Sequence, residues 1–320
     1  MTGNGGGLGP SVRRAGRRVA RTLLEPPLPL VAVEVRPTAV AAVRLTKEGG
    51  KLSLGAAATV DLPGGALEVS LARPNVTDAE AFRGALRAVL ERVGALSGGD
   101  VSLVLPDPAV RLALIPSEGL RGRRRDAEAT IRFRLHKALP FDVRAARLAW
   151  AAPRGEQTLV AVAPEEVVRG YEEALESLDF RPGLVEAASL ALLSAAEAGP
   201  AGGDRMLVNW DEGYVSFVLT RGGQPLLLRT LPGDSGREAV VRHATSTMQF
   251  HGDRLGGGAL ADAVVRSAAV PGEEAAALLG RVLGIAPRLL QPWAALGVPE
   301  QGPAAQAVAG AAACVLRRVA

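Results

Sequence analysis

Alternating Val/Ala/Leu segments run along PLVAVEVRPTAVAAVRLTKEGGKLSLGAAATVDLP, residues 29–63. The alternation breaks at Arg36-Pro37-Thr38 and again at Gly49-Gly50, which predicts strand, turn, strand, turn, strand. The spacing then becomes helical in TDAEAFRGALRAVLERVGAL (77–96), with Thr77 as N-cap and Glu80 at the capping-box position. VSLVLPD (101–107) reads as a buried strand. Residues 109–180 change character. VRLALIPS is a strand and RDAEATIRFRLHKAL a helix; FDVRAARLAWAAP and QTLVAVAP are strands around a turn at Arg154-Gly155; PEEVVRGYEEALESLDF is a helix that Pro164 starts. The order β-α-β-β-α predicts a small α+β module. Within it Pro140 ends a helix whose last turn is His136 to Ala138, and Phe141 packs beneath the next strand, so Leu139, Pro140 and Phe141 read as structural.

RPGLVEAASLALLSAA returns as strand and helix, and AGPAGGD (198–204) is a linker-like break. The opening pattern then recurs: MLVNWDEGYVSFVLTRGGQPLLLRTLPGD (206–234) is again strand, turn, strand, Gly-Gly turn, strand. Each copy opens one half of the chain, which points to internal duplication. A helix follows from Arg237, then a strand within ALADAVVRSAAVPGE, and the Ala-rich AAQAVAGAAACVLRR reads as a buried helix.

Composition narrows the chemistry. A chain of 320 residues with 48% apolar and 22% charged residues is globular and long enough for two domains. The lone Cys314 excludes a disulfide framework and a cysteine zinc site. His136, His243 and His251 are too scattered for a metal cluster, and His243 and His251 read as surface residues. The pI of about 9.8 misleads. Arg13, Arg14, Arg17, Arg18 and Arg21 stand against Glu25 in the first thirty residues, and the rest is formally neutral, so nucleic acid is not an expected partner. No signal peptide and no span of roughly 18–20 apolar residues is visible, and a cytoplasmic location is expected. SVRRAGRRVARTLL places its arginines on one helical side, so they are candidate contacts to an anionic membrane face; a solvated tail is the other reading. RGRRRD (121–126) reads as a solvated loop, or as a grip for an acidic partner or lipid. No nucleophile elbow accompanies the serines and histidines.

Three stretches in order, VAVEVRPTAVAAVRL, ATIRFRLHKALPFDVRAARLAW and MLVNWDEGYVSFVLTRGGQPLLLRTLPG, resemble the PilM-like type IV pilus assembly proteins. That family belongs to the actin-like ATPases and is related to FtsA and to the type II secretion protein GspL. GIAPRLLQPWAALG resembles its closing stretch. The resemblance implies an α/β, two-lobed, duplicated ribonuclease H-like fold. It places a basic tail at 1–27, a first lobe at 28–200 with the inserted module at about 109–180, and a reduced second lobe at 205–320 whose lid subdomain is missing after Pro232. The family's phosphate turns each read Asp-x-Gly, with the Asp for Mg²⁺ and the Gly for close backbone approach. Here Glu34 and Arg36 fill those slots in the first turn, and Asn209 and Asp211 in the second; a shifted alignment takes Asp211-Glu212-Gly213 instead. Ser267-Ala268-Ala269 stands where an adenosine-binding Gly-Gly is expected.

The expectation is therefore a vestigial nucleotide site with no catalytic residue, cofactor or metal. The implied role is a cytoplasmic scaffold, peripheral to the inner membrane, in a type IV pilus or related secretion platform. Its implied partners are the N-terminal peptide of a PilN-like membrane protein, held between the first lobe's core and the module, and other platform proteins. The alternatives are a working ATPase using Mg-ATP with Glu34 and Asp211, and a GspL-like secretion component.

Overall fold

A computed structural model describes residues 29–153, 155–196, 202–293 and 302–316. The arginines of the predicted tail helix (Arg13, Arg14, Arg17, Arg18 and Arg21) and Arg154 lie outside the described residues.

The first lobe opens with β1 (Val31–Val35), β2 (Ala39–Glu48) and β3 (Lys51–Asp61), an antiparallel meander. Gly49 and Gly50 take φ of +55° and +85° between β2 and β3, the left-handed pair that a two-residue hairpin turn requires. Helix α1 (Ala79–Arg92) follows, and β4 (Gly99–Leu105) lies parallel to β1. Asp78, not Thr77, caps α1: its carboxylate accepts from the N–H groups of Glu80 and Ala81 at 3.1 and 3.0 Å. Thr77 instead donates its hydroxyl to the Gly65 carbonyl at 2.5 Å. Neighbouring Thr and Asp are both good caps, and the backbone pairing of 66 with 77 and 78 decides between them.

The inserted module holds β5 (Arg111–Pro116), helix α2 (Arg124–Leu135), β6 (Ala146–Trp150) and β7 (Gln157–Pro164), with sheet order β5-β7-β6. Ile115, Ile131, Leu135, Val143, Val160 and Val162 form its core, with Leu139 and Phe141 packed at the margin. The next helix, α3 (Glu165–Glu176), departs from the expected module boundary. Its stripe of Val167, Val168, Tyr171 and Leu175 is buried in the first lobe with Phe82 and Leu86. Tyr171 meets Phe82 edge-on at 5.9 Å and accepts from Asn75 at 3.0 Å. Periodicity shows an apolar stripe but not which sheet will cover it. β8 (Phe180–Ala187) completes the sheet β3-β2-β1-β4-β8, and α4 (Ala188–Ala196) leads out of the lobe.

The second lobe repeats the plan: β9 (Asp204–Asp211), β10 (Tyr214–Arg221) and β11 (Gln224–Pro232) form a meander with its own Gly222-Gly223 turn. Helix α5 (Arg237–Leu255), β12 (Leu260–Ser267), α6 (Gly272–Leu283) and the short β13 (Arg288–Leu289) follow, with order β11-β10-β9-β12-β13. Only Gly233 to Gly236 separate β11 from α5, too little chain for a lid subdomain. The chain then returns between the lobes as α7 (Gly302–Ala307) and α8 (Ala309–Leu316). α8 is buried through its whole length and packs with α4. One apolar core joins both lobes through it: Ala32, Val43 and Val104 from one side, Leu207, Val218 and Val264 from the other. No helix among the described residues is long and apolar enough to cross a membrane.

Candidate functional site

The inner ends of β1 and β9 meet at the centre of the molecule. Glu34 pairs with Ala41 in one hairpin and Asn209 with Ser216 in the other. The two turns, Arg36 to Ala39 and Asp211 to Tyr214, therefore stand in equivalent register, so Glu34 matches Asn209 and Arg36 matches Asp211. The shifted reading, with Asp211 in the place of Glu34, breaks this register. Arg36 and Asp211 are 175 residues apart and bond to each other: Nε donates to Oδ2 at 3.0 Å and Nη2 to Oδ1 at 2.9 Å.

A third participant was missed in the sequence. Arg266, on β12, is completely buried. Its Nη2 donates to Glu34 Oε1 at 2.9 Å. Its Nη1 donates to Asp211 Oδ2 at 2.6 Å and to Asn209 Oδ1 at 3.0 Å, and its Nε to the Gln306 carbonyl at 3.0 Å. The other Glu34 oxygen accepts the Ala311 N–H at 3.1 Å, near the start of α8. Asp107, also missed, accepts from Asn209 Nδ2 at 3.0 Å, from the Ser189 N–H at 2.8 Å and from the Ser189 hydroxyl at 2.5 Å. Nothing local in AVVRS marks Arg266 as a core residue, because its partners lie 40 to 232 residues away.

The charges settle by environment. Burial pushes the Glu34 carboxyl above its usual range, against the pull of Arg266 and Arg36. Burial would also raise Asp211, but Arg266 and then Arg36 outweigh it and hold that carboxyl low. The Arg266 guanidinium is raised: burial opposes its charge, and Glu34 and Asp211 overcome that. Burial, followed by the Asp107 and Asp211 charges, drives the Tyr214 hydroxyl far upward.

The turn donors are committed as well. Arg36 N–H goes to the Ala39 carbonyl at 2.8 Å, Glu212 N–H to Asp211 Oδ1 at 2.9 Å, and Gly213 N–H to Ser235 Oγ at 2.8 Å. Pro37 has none to give. Ser267, at the expected adenosine turn, donates its hydroxyl to the Val270 carbonyl at 2.7 Å and so closes the turn on itself. Arg36 reaches across to the Ala268 carbonyl at 3.4 Å. His251 is not a surface residue. It is buried against Asp204, Nε2 to Oδ2 at 2.6 Å, with Gly257 packed on its ring. Asp204 is lowered to about 2, chiefly by Arg221 and then by the His251 hydrogen bond. Among the described residues no group of three His, Cys, Asp or Glu side chains could hold a metal ion.

The second feature is a groove of about 350 Å³ between the module and the first lobe. β6 pairs only with β7, and β8 only with β4, so each presents an edge without a strand partner among the described residues. The groove runs between these edges over Leu148, Ala149, Ala161, Leu184, Val185 and Leu190. A second hollow of about 380 Å³ continues past Trp150 towards Leu193. Arg147 stands at the rim, gripped by Glu165 at 2.8 Å and Glu172 at 2.5 Å.

No family model and no curated protein matches the chain. Solved structures do. A chain of the PilM-PilN type IV pilus biogenesis complex superposes with a TM-score of 0.73 at 19% identity, over 92% of this chain and 100% of that one. A Bacteroides thetaiotaomicron protein with an actin-like ATPase fold gives 0.52 at 8% identity, over 82% and 90%. The cytoplasmic domain of EpsL, an inner-membrane component of the type II secretion system of Vibrio cholerae, gives 0.48 at 12%, over 75% and 82%. With its two meander-led lobes, its repeated strand order and its interlobe cleft, the chain has the actin-like ATPase fold.

Proposed function

We propose that the protein is a non-catalytic scaffold of a type IV pilus or related secretion platform, holding an extended peptide from a PilN-like membrane protein at the cytoplasmic face of the inner membrane. The groove between β6 and β8, whose outer edges have no strand partner among the described residues, carries this reading. An apolar floor flanked by two sheet-edge strands suits a peptide that adds as a strand, with main-chain hydrogen bonds for affinity and alternate side chains for specificity. Likeness to the PilM-PilN chain supports the same partner class.

The cleft argues against ATP chemistry. A Mg-bound triphosphate needs free backbone donors and an available carboxylate between the two turns. Here the guanidiniums of Arg36 and Arg266 occupy the space between the turns, and Glu34 and Asp211 are committed to them. The residues present do not fit a metal-bound nucleotide, and no catalytic step is assigned to them.

Calorimetry with a synthetic N-terminal peptide of a PilN-like protein tests the groove. Micromolar binding is expected in wild type and is lost in Leu148→Arg, whose melting temperature stays within a few degrees of wild type. Absence of binding at high micromolar peptide would refute the scaffold reading. The working-ATPase alternative demands a thermal shift with Mg-ATP, equivalent to about 2–3 kcal/mol at a hundredfold excess over Kd; none is expected.

A further inference from the structure

Charge is distributed unevenly over the body. Between Arg111 and Pro164 the chain carries eleven Arg or Lys against five Asp or Glu, a formal +6. With +4 in residues 1–27 and +4 overall, everything else sums to −6. The inserted module is therefore a basic pole on an otherwise acidic body.

The surplus concentrates at one place in the module. Arg144, Arg147, Arg132 and Arg134 are engaged: with Asp142, with Glu165 and Glu172, with Glu128, and with the carbonyls of Pro116 and Glu118. Arg124 lies over the Trp150 ring at 4.5 Å. Arg121, Arg123, Arg125 and Lys137 are exposed, and no hydrogen bond or ion pair engages their side chains among the described residues. Arg125, Ala129 and Phe133 succeed one another at helical spacing on the outer side of α2, and Lys137 continues the row past its end. Phe133 is 75% exposed, among the most exposed large apolar side chains described, and its ring sits against His136 at 5.6 Å.

We propose that this outer face of α2, with the 121–125 turn, rests on an anionic phospholipid surface. An exposed aromatic side chain in a row with unpaired cations matches a bilayer interface, where the ring inserts at headgroup depth and the cations meet lipid phosphate. A small anion or a shaped acidic peptide would need a concave site. The nearby hollow of about 650 Å³ at Pro116 to Gly122 sets Glu118 and Glu156 beside Arg121, so its carboxylates outnumber its one cation. The cations are spread from Arg121 to Lys137, as suits a laterally fluid target. It lies on α2, apart from the β6–β8 groove, and does not depend on the peptide reading.

Vesicle sedimentation of the full chain tests it, with mixed phosphatidylglycerol–phosphatidylcholine vesicles against phosphatidylcholine alone. Wild type binds the anionic vesicles only, and the binding disappears at high salt. Replacing Arg121, Arg123, Arg125 and Lys137 by Gln weakens binding by roughly fivefold per charge removed. Phe133→Ser weakens it several-fold while leaving the salt dependence unchanged. Since all five side chains are exposed, circular dichroism and melting should match wild type. A third variant, with Arg13, Arg14, Arg17, Arg18 and Arg21 as Gln, retains the share of binding that the module supplies. Unchanged binding in the Arg/Lys→Gln module variant would overturn the proposal, as would failure of wild type to bind anionic vesicles. Binding to polyglutamate with inert vesicles would also overturn it, in favour of an acidic polypeptide.

Discussion

Arg266 is the residue whose loss should be felt most. Replacing it by Met leaves Glu34 and Asp211 buried without their shared partner, a change that costs about 3–5 kcal/mol. Glu34→Gln should cost distinctly less, because burial already disfavours the Glu34 charge and the amide can still bond Arg266 or the Ala311 N–H. Urea midpoints of the two variants give the comparison, and equal losses would contradict it. Gly310 is a further sensitive point. A β-carbon there would stand 2.5 Å from the Glu34 carboxyl carbon, so Gly310→Ala should destabilise by about 1–3 kcal/mol. Acid stability follows from the depressed carboxyls. Asp204 and Asp211 titrate lower folded than unfolded, so what they contribute is present above the unfolded carboxylate range and lost as pH falls through their folded values, about 2 for Asp204. Glu34, raised, acts in the opposite sense and offsets part of that loss. Asp204→Asn should flatten the acid limb of a stability–pH curve by on the order of 1–2 kcal/mol.

Elements were legible where their signals were local. Gly49-Gly50 and Gly222-Gly223 marked both hairpins, because a left-handed pair of residues leaves few other choices. The apolar runs VAVEV and MLVNW marked buried strands whose pairing then followed. α3 shows the limit: Val167, Val168, Tyr171 and Leu175 announce an amphipathic helix, yet only the fold assigns it to the first lobe. Arg266 and Asp107 were hidden for the same reason, since what makes them special is distant in sequence. The Glu34 and Asp211 positions were found through the resemblance and the repeat, not through any property of the residues themselves. At this scale Asp78→Ala should cost about 1 kcal/mol, and Thr77→Ala less, if the cap is the one observed. Thermal melts of the pair decide it.

For the whole molecule, the joint core makes the lobes interdependent. Ala32, Val43, Leu207 and Val264 share one apolar cluster with α4 and α8. Unfolding should therefore be a single cooperative transition, with coincident far-ultraviolet dichroism and tryptophan fluorescence curves. Two separated transitions would show that the lobes are autonomous. The ion network across the cleft adds directional constraints to this apolar contact: Arg36 to Asp211, Arg266 to Glu34 and Asn209 to Asp107 each cross from one lobe to the other. A hinge motion of the lobes would have to break these bonds.

The placement of α8 bears on how the protein is made. Residues 309–316 follow both lobes in the chain, yet they form the layer between them and donate to Glu34, 277 positions upstream. A ribosome releases the lobes in order, each with an apolar flank still uncovered, and their junction must wait until this helix emerges. The nascent chain thus has a long interval in which a chaperone can hold it, and arrested chains ending before residue 309 should remain sensitive to protease although their sheets have formed.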